Sequence, residues 1–206
     1  MSEEGKHNVL VTLGTKDGST ADREENDFYA TSPKATNLMV DWLEKEIPGS
    51  KNWKIWECCC GNGRLAETLK ERGYVVTGAT DLIDRGYGTQ KDFLATNTME
   101  NNSDAIITNP PYSCALEIAE HAMSLLNDGQ YYVFLGRIQF LEGKARKKFF
   151  EDNPPKYVLV HSERVNCWKN DKPEYNKKGN EITSAMCYSW FVFEKGYKGK
   201  PMVCWL

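Results

Sequence analysis

Asn109-Pro110-Pro111-Tyr112 is the most chemically specific stretch of the sequence, and it closes an apolar run that starts after Asp104. Two adjacent prolines cannot continue a sheet ladder or sit inside a helix, so after Ile107 the chain must leave its strand and hold a fixed, extended bend. Such a bend presents the Asn109 amide, the Pro110 carbonyl and the Tyr112 ring on one rigid edge, which suits a flat, amino-bearing group. An amine conjugated to a ring is a poor nucleophile. If the Asn109 side-chain oxygen and the Pro110 carbonyl each accept one of its N–H groups, the lone pair turns out of conjugation, which is catalysis by position and electrostatics without a covalent intermediate. Tyr112 would stack on a base taken out of its helix. The plainer reading is a proline-rich turn with Asn109 as turn former and Tyr112 as a core aromatic.

A second constellation precedes the first. Gly61-x-Gly63-x-x-Ala66 follows a strand-like run, and Asp81 stands 20 residues beyond Gly61. That spacing satisfies the dinucleotide fingerprint, in which a phosphate sits on the helix N-terminus and the acid takes ribose hydroxyls. Glu57 separates the possible ligands. A carboxylate just before the glycines would repel a pyrophosphate, but it could accept hydrogen bonds from an ammonium group. This favours S-adenosylmethionine, an adenosine with an amino-acid tail and no phosphate, over a nicotinamide dinucleotide. Two alternatives stay open: Glu57 as a strand-end carboxylate satisfied by backbone N–H groups, and a dehydrogenase using the same turn.

Other reactive residues carry less. Successive strand residues face opposite sides, so Cys58-Cys59-Cys60 cannot converge on one ion, and no metal site is expected. His7, His121 and His161 have no neighbour at ligand or triad spacing. Lys144, Arg146, Lys147 and Lys148 form a basic run that reads equally as a phosphate contact or a solvated helix face. The polar segment 162–183 interleaves Arg164, Trp168 and Lys169 with other basic and aromatic residues, as a loop contacting a flipped or single-stranded base requires. Four acidic residues dilute its charge, and a simple connection is the competing reading.

These groups need a scaffold. With 206 residues, 40% hydrophobic and 12% aromatic, the chain is expected to form one domain with its own core. Residues 1–27 end in a stretch dense in Gly, Ser, Thr, Asp and Glu and are expected to form a mobile arm, with the single domain at 28–206. No apolar run approaches bilayer thickness and the N-terminus lacks an apolar signal region, so a cytoplasmic protein with seven free thiols and no membrane partner is expected. The net charge of −3 excludes a general attraction to phosphate backbones, though not an enzyme that visits nucleic acid briefly. Ser32 as N-cap and Pro33 at the first helical position predict a helix to about Glu46. Further helices are predicted at 64–71, from Ala115 to about Leu125, and at 144–150. Strands are predicted over 53–60, 74–81, 105–108, 131–135 and 157–160, with a weak one at 92–94. Cys187 to Phe193 and Pro201 to Leu206 read as a closing antiparallel pair. Strands alternating with helices indicate an α/β sheet with helices on both faces.

With both constellations in this order, the chain resembles the S-adenosylmethionine-dependent amino-methyltransferases. That group includes the DNA adenine-N6 methyltransferases, and its hallmark is Asn/Asp/Ser-Pro-Pro-Tyr/Phe. The resemblance runs from Phe28 to the C-terminus. It implies a Rossmann-like methyltransferase fold: a mostly parallel seven-stranded sheet, its last strand antiparallel. It also implies that Tyr29 and Thr31 lie near the cofactor, that Glu57, Gly61 and Gly63 hold its methionine and ribose part, that Asp81 binds the ribose hydroxyls, and that Asp92 and Phe93 bracket the adenine. Asn109, Pro110, Pro111 and Tyr112 become the catalytic edge. Cys58, beside Glu57 in the cofactor stretch, stands where the family often has proline. Neither the interval from Gly63 to Asn109 nor that after Tyr112 has room for a separate target-recognition domain. The expected acceptor is N6 of adenine in DNA; RNA, a protein glutamine amide, and a non-catalytic nucleic-acid-binding module are the alternatives.

Overall fold

The computed structural model describes residues 28–169, 171–173, 175–180, 182 and 186–206, so the expected arm at 1–27 lies outside the described residues, as do parts of 162–183. A short strand β1 (Tyr29–Thr31) leads into helix α1 (Pro33–Glu46), where the Ser32 hydroxyl accepts from the Ala35 N–H and Pro33 opens the first turn. Then follow β2 (Lys54–Glu57), α2 (Arg64–Glu71), β3 (Val75–Asp81), β4 (Thr89–Gln90), β5 (Ala105–Thr108), α3 (Ala115–Leu125), β6 (Tyr131–Arg137), α4 (Lys144–Asp152), β7 (Tyr157–Val160), β8 (Cys167–Lys169), β9 (Tyr188–Glu194) and β10 (Met202–Trp205).

Eight of the strands form one sheet in the order β10-β7-β9-β6-β5-β2-β3-β4. Only β9 runs antiparallel to its neighbours, β6 and β7. Four expectations are corrected here. The sheet has eight strands, not seven. The antiparallel strand is β9, the last but one in sequence. And β10 does not pair with β9: it passes over to the free edge of β7 and pairs parallel, Met202 to Tyr157 through Trp205 to Val160. Both edges of β9 are already taken by β6 and β7, so a hairpin partner has no ladder left to join. The weak strand expected at 92–94 is instead a single 3-10 turn, Phe93–Ala95, capped by the Asp92 carboxylate on the Leu94 N–H. The added strand is Thr89–Gln90, beside Thr80 and Asp81.

Strand alternation splits the core into two layers. Ile55, Ile107, Val133, Leu135, Trp190 and Val192 face α1 and α2, meeting Met39, Leu43, Leu65 and Leu69. Their neighbours Trp56, Ile106, Tyr132, Phe134, Phe191 and Phe193 face α3 and α4, meeting Ile118, Ala122, Met123 and Phe149. The two fully buried indoles are hydrogen-bonded, Trp190 Nε1 to the Ala35 carbonyl (3.1 Å) and Trp56 Nε1 to Thr80 Oγ1 (2.9 Å), which removes the penalty of burying a lone donor.

The sheet order reverses between β2 and β5, with β3 lying to one side and β6 to the other. In an open α/β sheet the crevice at the carboxyl ends of the strands beside such a reversal is where ligands bind. Glu57 ends β2, Asp81 ends β3, Asn109 follows β5 and Arg137 ends β6.

Candidate active site

The glycine turn is a consequence of local backbone demands. Gly61 and Gly63 both adopt positive φ (54° and 86°), and a side chain at either would run into an aromatic ring, Phe28 at the first and Tyr87 at the second. Gly63 caps α2 while its N–H reaches the Cys60 carbonyl at 2.8 Å. Asp81 fixes the turn from below: its Oδ2 accepts from the Gly61 N–H at 2.8 Å and its Oδ1 from the Ile83 N–H at 2.9 Å.

Beside this turn opens a cavity of about 220 Å³, lined among others by Phe28, Leu82 and Ile83, by Glu57 and Asp81, and by Asn109 to Tyr112. Of the residues expected from sequence, Tyr29, Thr31, Glu57, Gly61, Asp81, Asn109, Pro110, Pro111 and Tyr112 line it. Gly63 shapes the turn without lining the cavity. Cys58 points into the α3-side core, 1% exposed, and Cys59 and Cys60 take the wall positions. Burial pushes the Cys60 thiol up to about 12, so that wall is uncharged at neutral pH. Asp92 and Phe93 are not brought to the cavity. Asp92 is spent as a cap, and Phe93 is buried edge-on between Trp56 and His121. The apolar pair Leu82-Ile83 occupies the wall instead, and its position directly after Asp81 was the available signal.

Glu57 is 2% exposed and its Oε2 has no hydrogen-bond partner. Desolvation pushes its carboxyl well above the ordinary range, the Ala66 backbone N–H partly offsets this, and the nearby Asp81 charge adds to it. A buried carboxyl with one oxygen unsatisfied and a second acid nearby is a site prepared for a cation.

Asn109 is wired in one sense. Its Nδ2 donates to the Tyr29 carbonyl (2.9 Å) and to Thr31 Oγ1 (3.0 Å), while its Oδ1 is buried and unpartnered. β1 thus uses up both amide donors and leaves an acceptor. The strand is held by β8, with Tyr29 opposite Lys169 and Thr31 opposite Cys167. Trp168, paired by backbone with Ala30, has the Arg64 guanidinium over its ring at 5.2 Å. Beyond it, Asp171 receives a hydrogen bond from Asn62 Nδ2 (2.8 Å) and lies 2.7 Å from Arg64 Nε. Residues 167–169 and Asp171 therefore brace β1 and the glycine turn. Arg164 lies away from the cavity, its guanidinium 3.9 Å from Cys187 Sγ. The Tyr112 ring stacks on Tyr29 with centroids 5.8 Å apart and carries the Arg137 guanidinium 4.7 Å from its centroid.

No protein-family model matches the sequence, and no curated protein matches it. Solved structures do match in shape. A methyltransferase subunit of a type I restriction-modification system from Streptococcus thermophilus superposes with a TM-score of 0.60 at 14% identity, over 96% of this chain and 50% of that one. A protein of Pyrococcus horikoshii described provisionally as an RNA methyltransferase gives 0.58 at 12% identity, over 95% and 98%. A Listeria monocytogenes protein described provisionally as a class I S-adenosylmethionine-dependent methyltransferase gives 0.57 at 18%, over 97% and 71%. The fold is the Rossmann-like methyltransferase fold. Within it, the cavity lies at the carboxyl ends of β2, β3 and β5.

Proposed function

We propose that the protein transfers a methyl group from S-adenosylmethionine to an exocyclic amine, N6 of adenine in DNA. The observation that carries this reading is the Asn109 amide, whose donors are both engaged while its buried oxygen awaits an N–H. Glu57 would receive the cofactor's ammonium, Asp81 its ribose hydroxyls through the lone pairs the backbone leaves free, and Phe28, Leu82 and Ile83 its adenine. The unsatisfied Glu57 oxygen is what makes the site fit such a group, and it argues equally against a pyrophosphate. When bound, the cofactor supplies an electrophilic methyl on a sulfonium.

The chain's own contribution is to the acceptor. Asn109 Oδ1 and the Pro110 carbonyl would each take one amine hydrogen, drawing the nitrogen toward tetrahedral geometry. Pro110 and Pro111 offer no backbone N–H to compete for those acceptors. No strong base is needed, because the departing thioether takes no proton and the amine can lose its own after transfer. Among the fold neighbours, the restriction-modification subunit favours DNA, and the Pyrococcus protein makes RNA the alternative acceptor.

Tritiated-methyl transfer to DNA, RNA and protein in parallel tests this, with label expected in DNA at adenine N6. Label confined to protein would move the acceptor to a glutamine amide, and failure to bind S-adenosylmethionine in calorimetry would overturn the reading. Asn109→Ala should lower transfer by roughly 10²- to 10³-fold, as loss of an oriented polar group at a reacting centre does, while cofactor affinity stays within a few-fold.

A further inference from the structure

A second cavity, of about 170 Å³, adjoins the first. Tyr112 belongs to both. The other walls are Ala115, Phe134, Gly136, Arg137, Gln139, Phe140 and Arg146: two guanidinium groups and no acid. Gly136 is there for space, since a side chain would strike the Phe134 ring at 2.7 Å. Arg146 is partly committed, its Nε donating to the Glu142 carbonyl at 2.7 Å and its Nη2 to the Gln139 carbonyl at 3.4 Å. Arg137 is not. Its Nε is buried without a hydrogen-bond partner, and among the described residues no carboxylate forms an ion pair with it. Its neighbours Tyr112, Tyr188 and Cys167 are neutral groups, each of whose protons is held on by burial. A buried guanidinium nitrogen left without an acceptor is costly, and on a half-buried arginine that lines a cavity it is most simply kept where a ligand brings that acceptor.

The position in the fold says which ligand. Asp81, Glu57, Asn109 and Arg137 stand at the ends of β3, β2, β5 and β6, which are consecutive in the sheet. Along that row the proposed donor site comes first, the amine-accepting edge next, and Arg137 one strand further. We propose that Arg137, with Arg146 beside it, binds a backbone phosphate of DNA next to the nucleotide whose base lies against Asn109 and Tyr112. This deepens the function proposed above and rests on it. The planar fork of arginine matches phosphate oxygens bidentately, and a single local site of this kind lets a chain of net charge −3 engage a polyanion.

The test uses the full chain and a short single-stranded DNA containing one adenine, in two forms: natural, and with neutral methylphosphonates flanking the adenine. Binding is followed by anisotropy and transfer by label. Arg137→Gln should weaken binding of the natural strand roughly 10- to 100-fold, as loss of a charge-assisted contact does. It should also reduce the slope of log affinity against log salt by about 0.7, the value for one phosphate on a single strand. The neutral strand should cost the wild-type protein a similar factor and cost the variant little more. Arg137→Lys should recover part of the loss, and calorimetry with S-adenosylmethionine should show all variants loading alike. Independent, multiplying losses from variant and neutral strand would overturn the phosphate contact, as would an unchanged salt slope. A wild-type protein that labels protein or RNA but no DNA would instead overturn the function above, and this assignment with it.

Discussion

Glu57 is the residue at which stability and the proposed function would oppose each other. Its raised pKa means the folded apo-protein prefers the neutral acid, so that part of its stability is fully present below the ordinary carboxylate value of about 4.5 and is lost as pH rises through the folded value. Glu57→Gln removes the penalty. The variant should melt higher than wild type at neutral pH, with the difference closing as pH falls below about 4.5, as thermal scans across pH will read. The same variant should bind S-adenosylmethionine roughly 10- to 150-fold less tightly, the equivalent of a hydrogen bond to a charged group. Wild-type binding should strengthen with rising pH through the Glu57 transition and release a proton below it, measurable by calorimetry in buffers of different ionisation enthalpy. Glu57 and Asn109 were legible in the sequence because each sits at a fixed offset from residues with severe backbone demands, the glycines and the prolines. Arg137 was not legible: an arginine ending an apolar strand carries no such marker, and its isolation is a fact of what packs around it.

At the level of elements, the long helices and the parallel strands follow from period and caps, and α1, α2 and α3 fall where spacing puts them. The ribbon of β1 and β8 does not. Each strand has three residues and they meet across most of the chain, so neither has enough pattern to reveal the other. The same holds for β10, whose composition fits a strand but cannot say which edge it joins. The ribbon matters because it sets the Asn109 amide. Thr31→Val keeps the shape and removes one acceptor, leaving Nδ2 with the Tyr29 carbonyl alone. The turnover number should fall roughly fivefold, in keeping with a neutral hydrogen bond worth about 1 kcal/mol, and more than cofactor affinity does. Equal losses in both would show that the ribbon serves the donor cavity instead.

Across the whole molecule, the sheet divides the interior into two cores that share strands but not side-chain neighbours. Ile55→Val in one and Ile118→Val in the other should each cost about 0.5–1.5 kcal/mol. Together they should sum to within about 0.5 kcal/mol in urea unfolding, because neither change alters the other's packing. A larger coupling would mean that strain passes through the sheet. That additivity leaves the crevice on a frame whose two sides can vary separately. The Asn109 linkage, which joins residues 78 and 80 positions apart, carries one more consequence. In the proposed function, an amide whose two donors are held and whose oxygen is left as an acceptor would do more than hold an amine: it would distinguish a base bearing an amine from one bearing a carbonyl at the same position. Adenine that has lost its amine to hydrolysis presents a carbonyl there, and oxygen would then face oxygen. If the proposed acceptor is right, the edge would pass over the deaminated form of the base in a damaged strand.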